Sequence, residues 1–228
     1  MKLSVLIPVY NEEKTLEEII IKLDQVAINK ELIIVDDGST DGTKEILKRL
    51  AQKNRQDLII ETHALNRGKG AAIRTALARA TGDLVIVQDA DLEYNPQDLP
   101  KLIEPILAGH TEVVYGSRNL AANKKGRKLY ELGGIFLSKL ANLLYGLKIT
   151  DEATCYKVFS AAAIKKLELS CEKFEFCPEV TAKLAKLHYN IIEVAISYDP
   201  RDKAAGKKLK LSDGLSAVWT LVKYRFIN

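Results

Sequence analysis

Residues 83–93 read Asp-Leu-Val-Ile-Val-Gln-Asp-Ala-Asp-Leu-Glu. The apolar run Leu84–Val87 is short, rich in β-branched residues and without alternation, which suits a strand covered on both faces, as in a parallel sheet. It runs into Asp89, Asp91 and Glu93, so three carboxylates stand at the strand end where open α/β sheets bind ligands. Hard cations such as Mg²⁺ take oxygen ligands, commonly one or two carboxylates plus substrate phosphates. An isolated Asp-x-Asp is most often a solvated turn, so its meaning rests on the rest of the chain.

Two further apolar runs end the same way. Leu32–Val35 meets Asp36-Asp37-Gly38-Ser39-Thr40-Asp41-Gly42, where Gly38 and Gly42 allow a tight turn and Asp41 suits the cap of the next helix. Turn and cap do not explain two adjacent carboxylates, whose repulsion is costly without a ligand. A carboxylate there can accept from a ring N–H of uracil or guanine, or from ribose hydroxyls. Leu3–Ile7 runs into Pro8-Val9-Tyr10-Asn11-Glu12-Glu13. Pro8 is expected to end that strand, and Asn11 to cap a helix carrying Leu16, Ile19, Ile20 and Leu23. Three strand ends thus deliver Tyr10 and Glu12, Asp37, and Asp89 and Asp91 to one sheet edge.

Strand and helix patterns alternate: Leu3–Ile7, helix 12–28, Leu32–Val35, helix 42–54, Leu58–Glu61, helix 69–80, Leu84–Val87, helix 97–108 and Glu112–Tyr115. The alternation predicts a single α/β domain, a mostly parallel doubly wound sheet with helices on both faces. A length of 228 residues suits one such unit, and 47% hydrophobic with 28% charged residues excludes a disordered chain. Cys155, Cys171 and Cys177 lack metal or redox spacing, so reduced packing thiols of a cytosolic chain are expected. Met1–Val9 is too short for a signal peptide, and no uncharged stretch reaches the ~18–20 residues that span a bilayer. The net charge of +4 is mild, but one polar loop concentrates cations in Asn123-Lys-Lys-Gly-Arg-Lys128.

Competing motifs fail. Gly68-Lys-Gly70 begins a GxGxxG, but Ile73 holds its sixth position and the segment follows the third strand, not the first. Gly38–Lys44 lacks the Gly-Lys-Ser/Thr of a P-loop. None of the three histidines, His63, His110 and His188, is expected beside the acidic cluster, so neither zinc nor Ser-His-Asp chemistry is expected.

Pro8-Val-Tyr-Asn-Glu-Glu13, Val35-Asp-Asp-Gly-Ser-Thr-Asp-Gly42, Asn66-x-Gly-x-Gly70 and Gln88-Asp-Ala-Asp91 stand in the order and spacing of the inverting family 2 glycosyltransferases. The chain resembles, more narrowly, the dolichol-phosphate mannose synthase-like branch, which glycosylates polyprenyl phosphates. The resemblance is strong over residues 1–118 and looser over 119–228. It implies a GT-A-like fold, with 1–118 as the nucleotide-sugar and metal half. Residues 119–228 would be the acceptor half, ending in an amphipathic helix.

The same resemblance implies that Pro8, Tyr10, Glu12, Val35, Asp37, Lys69, Asp89 and Ala90 contact the donor, a nucleotide-diphosphate hexose, with GDP-mannose favoured over UDP-glucose. Asp91 and Glu93, assisted by Asp89, would hold Mg²⁺ or Mn²⁺, although relatives often have Gln where Glu93 stands. Arg118, in the matching Gly-Ser-Arg position, would contact the acceptor phosphate. Asp89, Asp91 and Arg118 are thus the expected catalytic set. A second family arginine is replaced by Gly133-Gly134, which leaves Arg127 and Lys128 as candidate cations. Thr150-Asp-Glu-Ala-Thr-Cys-Tyr-Lys157 resembles a family segment that puts Asp151 on the acceptor side. Tyr198-Asp-Pro-Arg201 with Gly206-Lys207-Lys208 resembles a loop that closes on the donor diphosphate.

The acceptor class follows from the scarcity of bases. A sugar hydroxyl loses a proton as it attacks and needs a positioned base. A phosphate monoester is mostly dianionic at neutral pH, already a nucleophile, and needs cations to hold it. The other enzymatic reading is transfer to a sugar hydroxyl, with Asp151 or Glu152 as base. A non-catalytic nucleotide-sugar-binding module is disfavoured because every acidic motif position is filled. Leu129–Leu147 and residues 213–228 are strongly apolar, as core helices are, yet Trp219, Tyr224 and flanking cations also suit a headgroup region. Family members often carry transmembrane helices after this region. The expectation is a cytoplasmic protein, peripheral on the membrane surface or held by a separate anchor subunit, with no nucleic-acid partner.

Overall fold

The apolar runs become strands β1 (Leu3–Val9), β2 (Lys30–Asp36), β3 (Leu58–Thr62), β4 (Leu84–Val87) and β5 (Val113–Ser117) of one sheet. Two strands not expected from the sequence, β6 (Lys157–Ser160) and β7 (Ile191–Ala195), join them in the order β3-β2-β1-β4-β6-β5-β7. All run parallel except β6, which is antiparallel to β4 and β5. The helices are α1 (Leu16–Asp24), α2 (Thr43–Ala51), α3 (Lys69–Arg79), α4 (Leu99–Leu107), α5 (Lys128–Tyr145), α6 (Ala161–Lys165), α7 (Phe176–Lys186) and α8 (Leu211–Phe226). This computed structural model describes residues 1–124, 128–201 and 211–227, so the expected site residues Arg127, Lys207 and Lys208 lie outside the described residues.

Burial explains the continuous apolar runs. Every residue of β4 is buried, as are Leu32–Val35 of β2, which is what covering both sheet faces with helices demands. α1 meets the sheet through Leu16, Ile19, Ile20 and Leu23, and α4 through Leu99, Leu102, Ile103 and Ile106, the spacing of one helical stripe. Because β6 and β7 come from the chain after residue 119, both halves share one sheet and one core.

Two local expectations are corrected. Pro8 does not end β1; it pairs with Val35 inside the strand. Val9 O accepts from Asp37 N–H on the β2 side, and Leu6 O from Gln88 N–H on the β4 side. Alternation therefore turns the Pro8 nitrogen toward β4, whose pairing with β1 stops at Leu6↔Val87, so no ladder bond is lost. Asn11 does not cap α1. It takes φ 51°, and its side-chain oxygen accepts from Thr40 N–H at 2.8 Å, tying the β1 end to the β2 turn. Helix α1 then starts at Leu16, because residues 12–15 form a turn on the Glu12 carbonyl.

Candidate nucleotide-sugar site

The sheet's parallel strands end on one edge, and the antiparallel β6 begins there, so the loops carrying Tyr10, Asp37, Asp89, Arg118, Asp151 and Arg201 meet. The β2 end is the most fully bonded. Asp36 Oδ1 accepts from Ser39 N–H at 3.0 Å, closing the turn, while its Oδ2 is buried without a partner. Asp37 points the other way, accepting from Arg67 N–H at 2.9 Å and Gly68 N–H at 2.7 Å, with His63 Nδ1 2.7 Å from its Oδ1. The two carboxylates thus diverge onto separate partners. His63 also corrects the reading that no histidine approaches the acidic strand ends. It follows β3 directly, which was the available signal, and its Nε2 lies 2.9 Å from Thr75 Oγ1 on α3.

Gly68 makes this cradle possible. Its φ is +100°, and a Cβ there would stand 2.4 Å from the Glu172 carbonyl oxygen. Gly68→Ala is expected to destabilise the fold by about 1–3 kcal/mol from backbone strain alone, with the Glu172 clash in addition. Gly109→Ala, at φ +73° with open space around it, should cost less. Urea denaturation of both variants checks the ranking.

At the β4 end, Asp89 is gripped by Lys69, the first residue of α3, at 2.6 and 2.8 Å. Burial works against the Lys69 ammonium, but Asp89 overrides it and raises its pKa well above the ordinary value. Asp91 stands differently. Burial, with Asp89 and Glu93 beside it, pushes its carboxyl up to about 7. Its side chain accepts from Glu93 N–H at 3.1 Å and lies 3.3 Å from Arg201 Nη2. Glu93 is turned to the segment after β7, accepting from the Tyr198 hydroxyl at 2.6 Å and Arg201 N–H at 3.0 Å. The Arg201 guanidinium forks onto Glu12 at 3.0 and 3.1 Å. Val35 and Ala90 are fully buried, so what they offer a ligand is main chain; Pro8 and Tyr10 are half-buried at the rim.

The opposite side of the site is built on Arg118. Its Nε and Nη2 each donate to Asp151 at 2.7 Å, and its backbone N–H to the same carboxylate at 2.9 Å. Burial alone would raise the Asp151 pKa, but Arg118 holds it below the usual carboxylate range. The guanidinium carbon lies 5.0 Å from the centre of the Tyr198 ring, a cation–π contact. Tyr198 therefore touches both halves of the site. A backbone bridge to Tyr94 and the Asp199 N–H bond to Glu93 O fix the base of its segment, and Asn123 ties it to Arg118 O and Ile196 O. Sequence reading named Tyr198 without a role and missed Asn123 and Tyr94. Glu152 is fully buried, its burial raising the carboxyl pKa. Lys128 opens α5 and is exposed.

The sequence matches the family model described as Glycosyl transferase family 2 over residues 4–168. This chain belongs to glycosyl transferase family 2. The family 2 transferase is 31% identical over 226 residues to the UDP-N-acetylglucosamine--dolichyl-phosphate N-acetylglucosaminyltransferase of Methanococcus voltae, covering 90% of each chain. It is 31% identical to the dolichol-phosphate mannosyltransferase of Pyrococcus furiosus, over 91% of this chain and 59% of that one. It is 28% identical to an undecaprenyl-phosphate 4-deoxy-4-formamido-L-arabinose transferase of Aeromonas hydrophila, over 90% and 62%. These relatives bear out the resemblance to the polyprenyl-phosphate branch. The fold is similar to glucosyl-3-phosphoglycerate synthase of Mycobacterium tuberculosis in complex with Mn²⁺, UDP-glucose and phosphoglyceric acid, with TM-score 0.74, 22% identity and coverage of 100% and 80%.

The donor set of the family 2 transferase fits a Mg²⁺- or Mn²⁺-type ion that leans on its substrate. Among the described residues no three His, Cys, Asp or Glu side chains converge as a complete cage. Burial, with Asp89 and Glu93 beside it, instead disfavours the charged form of Asp91, a cost that a cation on this carboxylate would relieve. One or two carboxylates plus diphosphate oxygens are what such a cation takes.

Among the described residues no helix is long and apolar enough to cross a membrane. α5 and α8 nonetheless expose an outward stripe each: Leu129, Leu132, Phe136 and Leu143, and Leu215, Trp219 and Phe226. Tyr224 corrects its expected interfacial place. It is buried, with its hydroxyl 2.9 Å from Glu179 Oε1.

Proposed function

We propose that this family 2 transferase moves a hexose from a nucleotide-diphosphate sugar to a polyprenyl phosphate, with inversion at the anomeric carbon. The observation that carries the acceptor class is the Arg118–Asp151 pair. Of the two carboxyls considered as bases, Asp151 is committed to Arg118 and held below the usual range, and Glu152 is sealed in the core. Neither suits removal of a hydroxyl proton, whereas a guanidinium linked to Glu93 through Tyr198 suits an acceptor already ionised. The named activities of the Methanococcus and Pyrococcus relatives support the same reading.

In the proposed reaction an acceptor phosphate oxygen attacks the anomeric carbon in line, the bond from that carbon to the diphosphate oxygen breaks, and its electron pair leaves with the nucleoside diphosphate. Residues 1–118 hold the donor: Asp37 fixes the Arg67–Gly68 turn beside the nucleoside, with Pro8, Tyr10, Glu12, Val35 and Ala90 around it, and Lys69 holds Asp89 in place. Asp91, with Glu93, would hold Mg²⁺ or Mn²⁺, which would supply positive charge to the departing diphosphate. Residues 119–228 form the acceptor half together with Arg118 at its boundary, which shares its guanidinium between Asp151 and the incoming phosphate, with Lys128 as a further cation. Mannose is the favoured sugar and glucose the other, on the resemblance. Incubating the protein with polyprenyl phosphate and GDP-mannose, UDP-glucose or UDP-N-acetylglucosamine tests this. Label entering the lipid phase from none of them would contradict it.

The stripes on α5 and α8 support a peripheral seat on the membrane, where the acceptor's tail resides. Lys128, Lys139, Lys223 and Arg225 flank them, as headgroup-facing helices require. Burying one large apolar side chain is worth about 1.5–3 kcal/mol when complete. The double variant Leu132→Ser/Trp219→Ser is therefore expected to bind anionic lipid vesicles at least about tenfold more weakly, measured by co-sedimentation.

A further inference from the structure

Arg201 stands among the donor carboxylates rather than above them. Nη1 and Nη2 donate to Glu12, Nη2 lies 3.3 Å from Asp91 Oδ2, and the side chain is only 14% exposed. A guanidinium is best satisfied by carboxylates met in pairs of parallel bonds. Here Glu12 is met that way, the Asp91 contact is long, and the buried Nε–H has no hydrogen-bond acceptor. Arg201 thus neutralises Asp91 while one of its own donors goes unmet. A buried donor of this kind costs free energy until an acceptor arrives.

We propose that Arg201 is a built-in competitor of the divalent cation: in the empty enzyme its guanidinium occupies the charge position at Asp91 and Glu12. It leaves that position for the donor diphosphate when nucleotide binds. The proposal rests on the donor-site reading given above. A divalent ion on Asp91 and a guanidinium 3.3 Å from the same carboxylate repel each other, and burial strengthens the repulsion. Neither can reach full occupancy while the other stays. Diphosphate oxygens remove the conflict, because they offer the guanidinium, its Nε–H included, the acceptors that it lacks. The segment up to Arg201 stays fixed by the Tyr94–Tyr198 bridge and by the Arg201 N–H bond to Glu93, so the exchange needs only the Arg201 side chain to turn. Metal binding is consequently weak without nucleotide and strong with it, and by linkage the metal tightens the nucleotide by the same factor.

Electron paramagnetic resonance of free Mn²⁺ measures this directly, in titrations of protein alone and of protein saturated with UDP or, separately, GDP. Arg201→Met removes the charge without adding an oxygen ligand. It is expected to bind Mn²⁺ roughly 10–100-fold more tightly than wild type in the nucleotide-free state, the worth of one displaced charge-assisted contact. With nucleotide bound that gain should vanish. Arg201→Lys, which keeps the charge, should stay near wild type, and circular dichroism checks that each variant is folded. Nucleotide-free Arg201→Met that binds Mn²⁺ no better than wild type overturns the proposal. If, in that case, Asp91→Asn still abolishes Mn²⁺ binding to the nucleotide complex, the donor site stands and only the competition fails. If Asp91→Asn changes nothing, the donor-site reading has failed with it.

Discussion

Asp91→Asn is expected to remove most transfer activity while the protein stays folded. The side chain keeps its shape and its place after β4 but loses the charge that would hold the cation on the diphosphate. Charge stabilisation by a metal is worth several kcal/mol in a transition state. At 1.36 kcal/mol per tenfold, the loss in kcat/KM is about 10²–10⁴-fold. The metal-free fold should respond in the opposite sense. A carboxyl raised to about 7 keeps in the folded state a proton that the unfolded chain releases at lower pH. Its burden on stability is therefore absent below the unfolded carboxylate pKa and grows as pH rises toward about 7. Asp91→Asn should raise the metal-free Tm at pH 8 and change it little at pH 4. Wild-type activity in the variant, or unaltered activity of wild type in excess EDTA, would refute the role.

Arg118→Ala is expected to weaken use of the acceptor by roughly 10–150-fold, the worth of one charge-assisted contact to phosphate, with donor binding nearly unchanged. The variant also leaves Asp151 buried without its counter-charge, which costs about 3–5 kcal/mol of stability. The double variant Arg118→Ala/Asp151→Asn removes that penalty and should show the same loss of acceptor use in a sounder fold. Asp151→Asn alone should lower turnover comparatively little, because no proton has to be removed from an acceptor that is already ionised. Transfer to a sugar hydroxyl predicts the reverse ranking, since losing the base would cost about 10²–10⁴-fold. Steady-state kinetics with polyprenyl phosphate and with sugar acceptors separate the two.

The first five strands were legible because strands buried on both faces must be continuously apolar, and Leu84–Val87 was read to the residue. β6 and β7 were not. Lys157-Val-Phe-Ser and Ile191-Ile-Glu-Val-Ala are short, carry a charge each and lie where strand–helix alternation has lapsed. The Lys157 ammonium is buried by donating to the Glu152 and Thr154 carbonyls, a solution no local pattern announces. Pro8 misled because the rule against proline in strands depends on which side its nitrogen faces, which is set by tertiary pairing. In the site, carboxylates were legible from strand ends, but their partners were not. Lys69 on Asp89, Arg201 on Glu12 and His63 on Asp37 join residues 20, 189 and 26 positions apart. Only folding brings such pairs together.

The central claim, transfer to a phosphate rather than to a hydroxyl, is tested most directly by the linkage in the lipid product. After reaction with the labelled donor that the enzyme accepts, ³¹P NMR of the purified lipid should show the acceptor monoester converted to a phosphodiester. Mild acid should then release the sugar. A monoester left intact, with label in an acid-stable glycoside, would contradict the account.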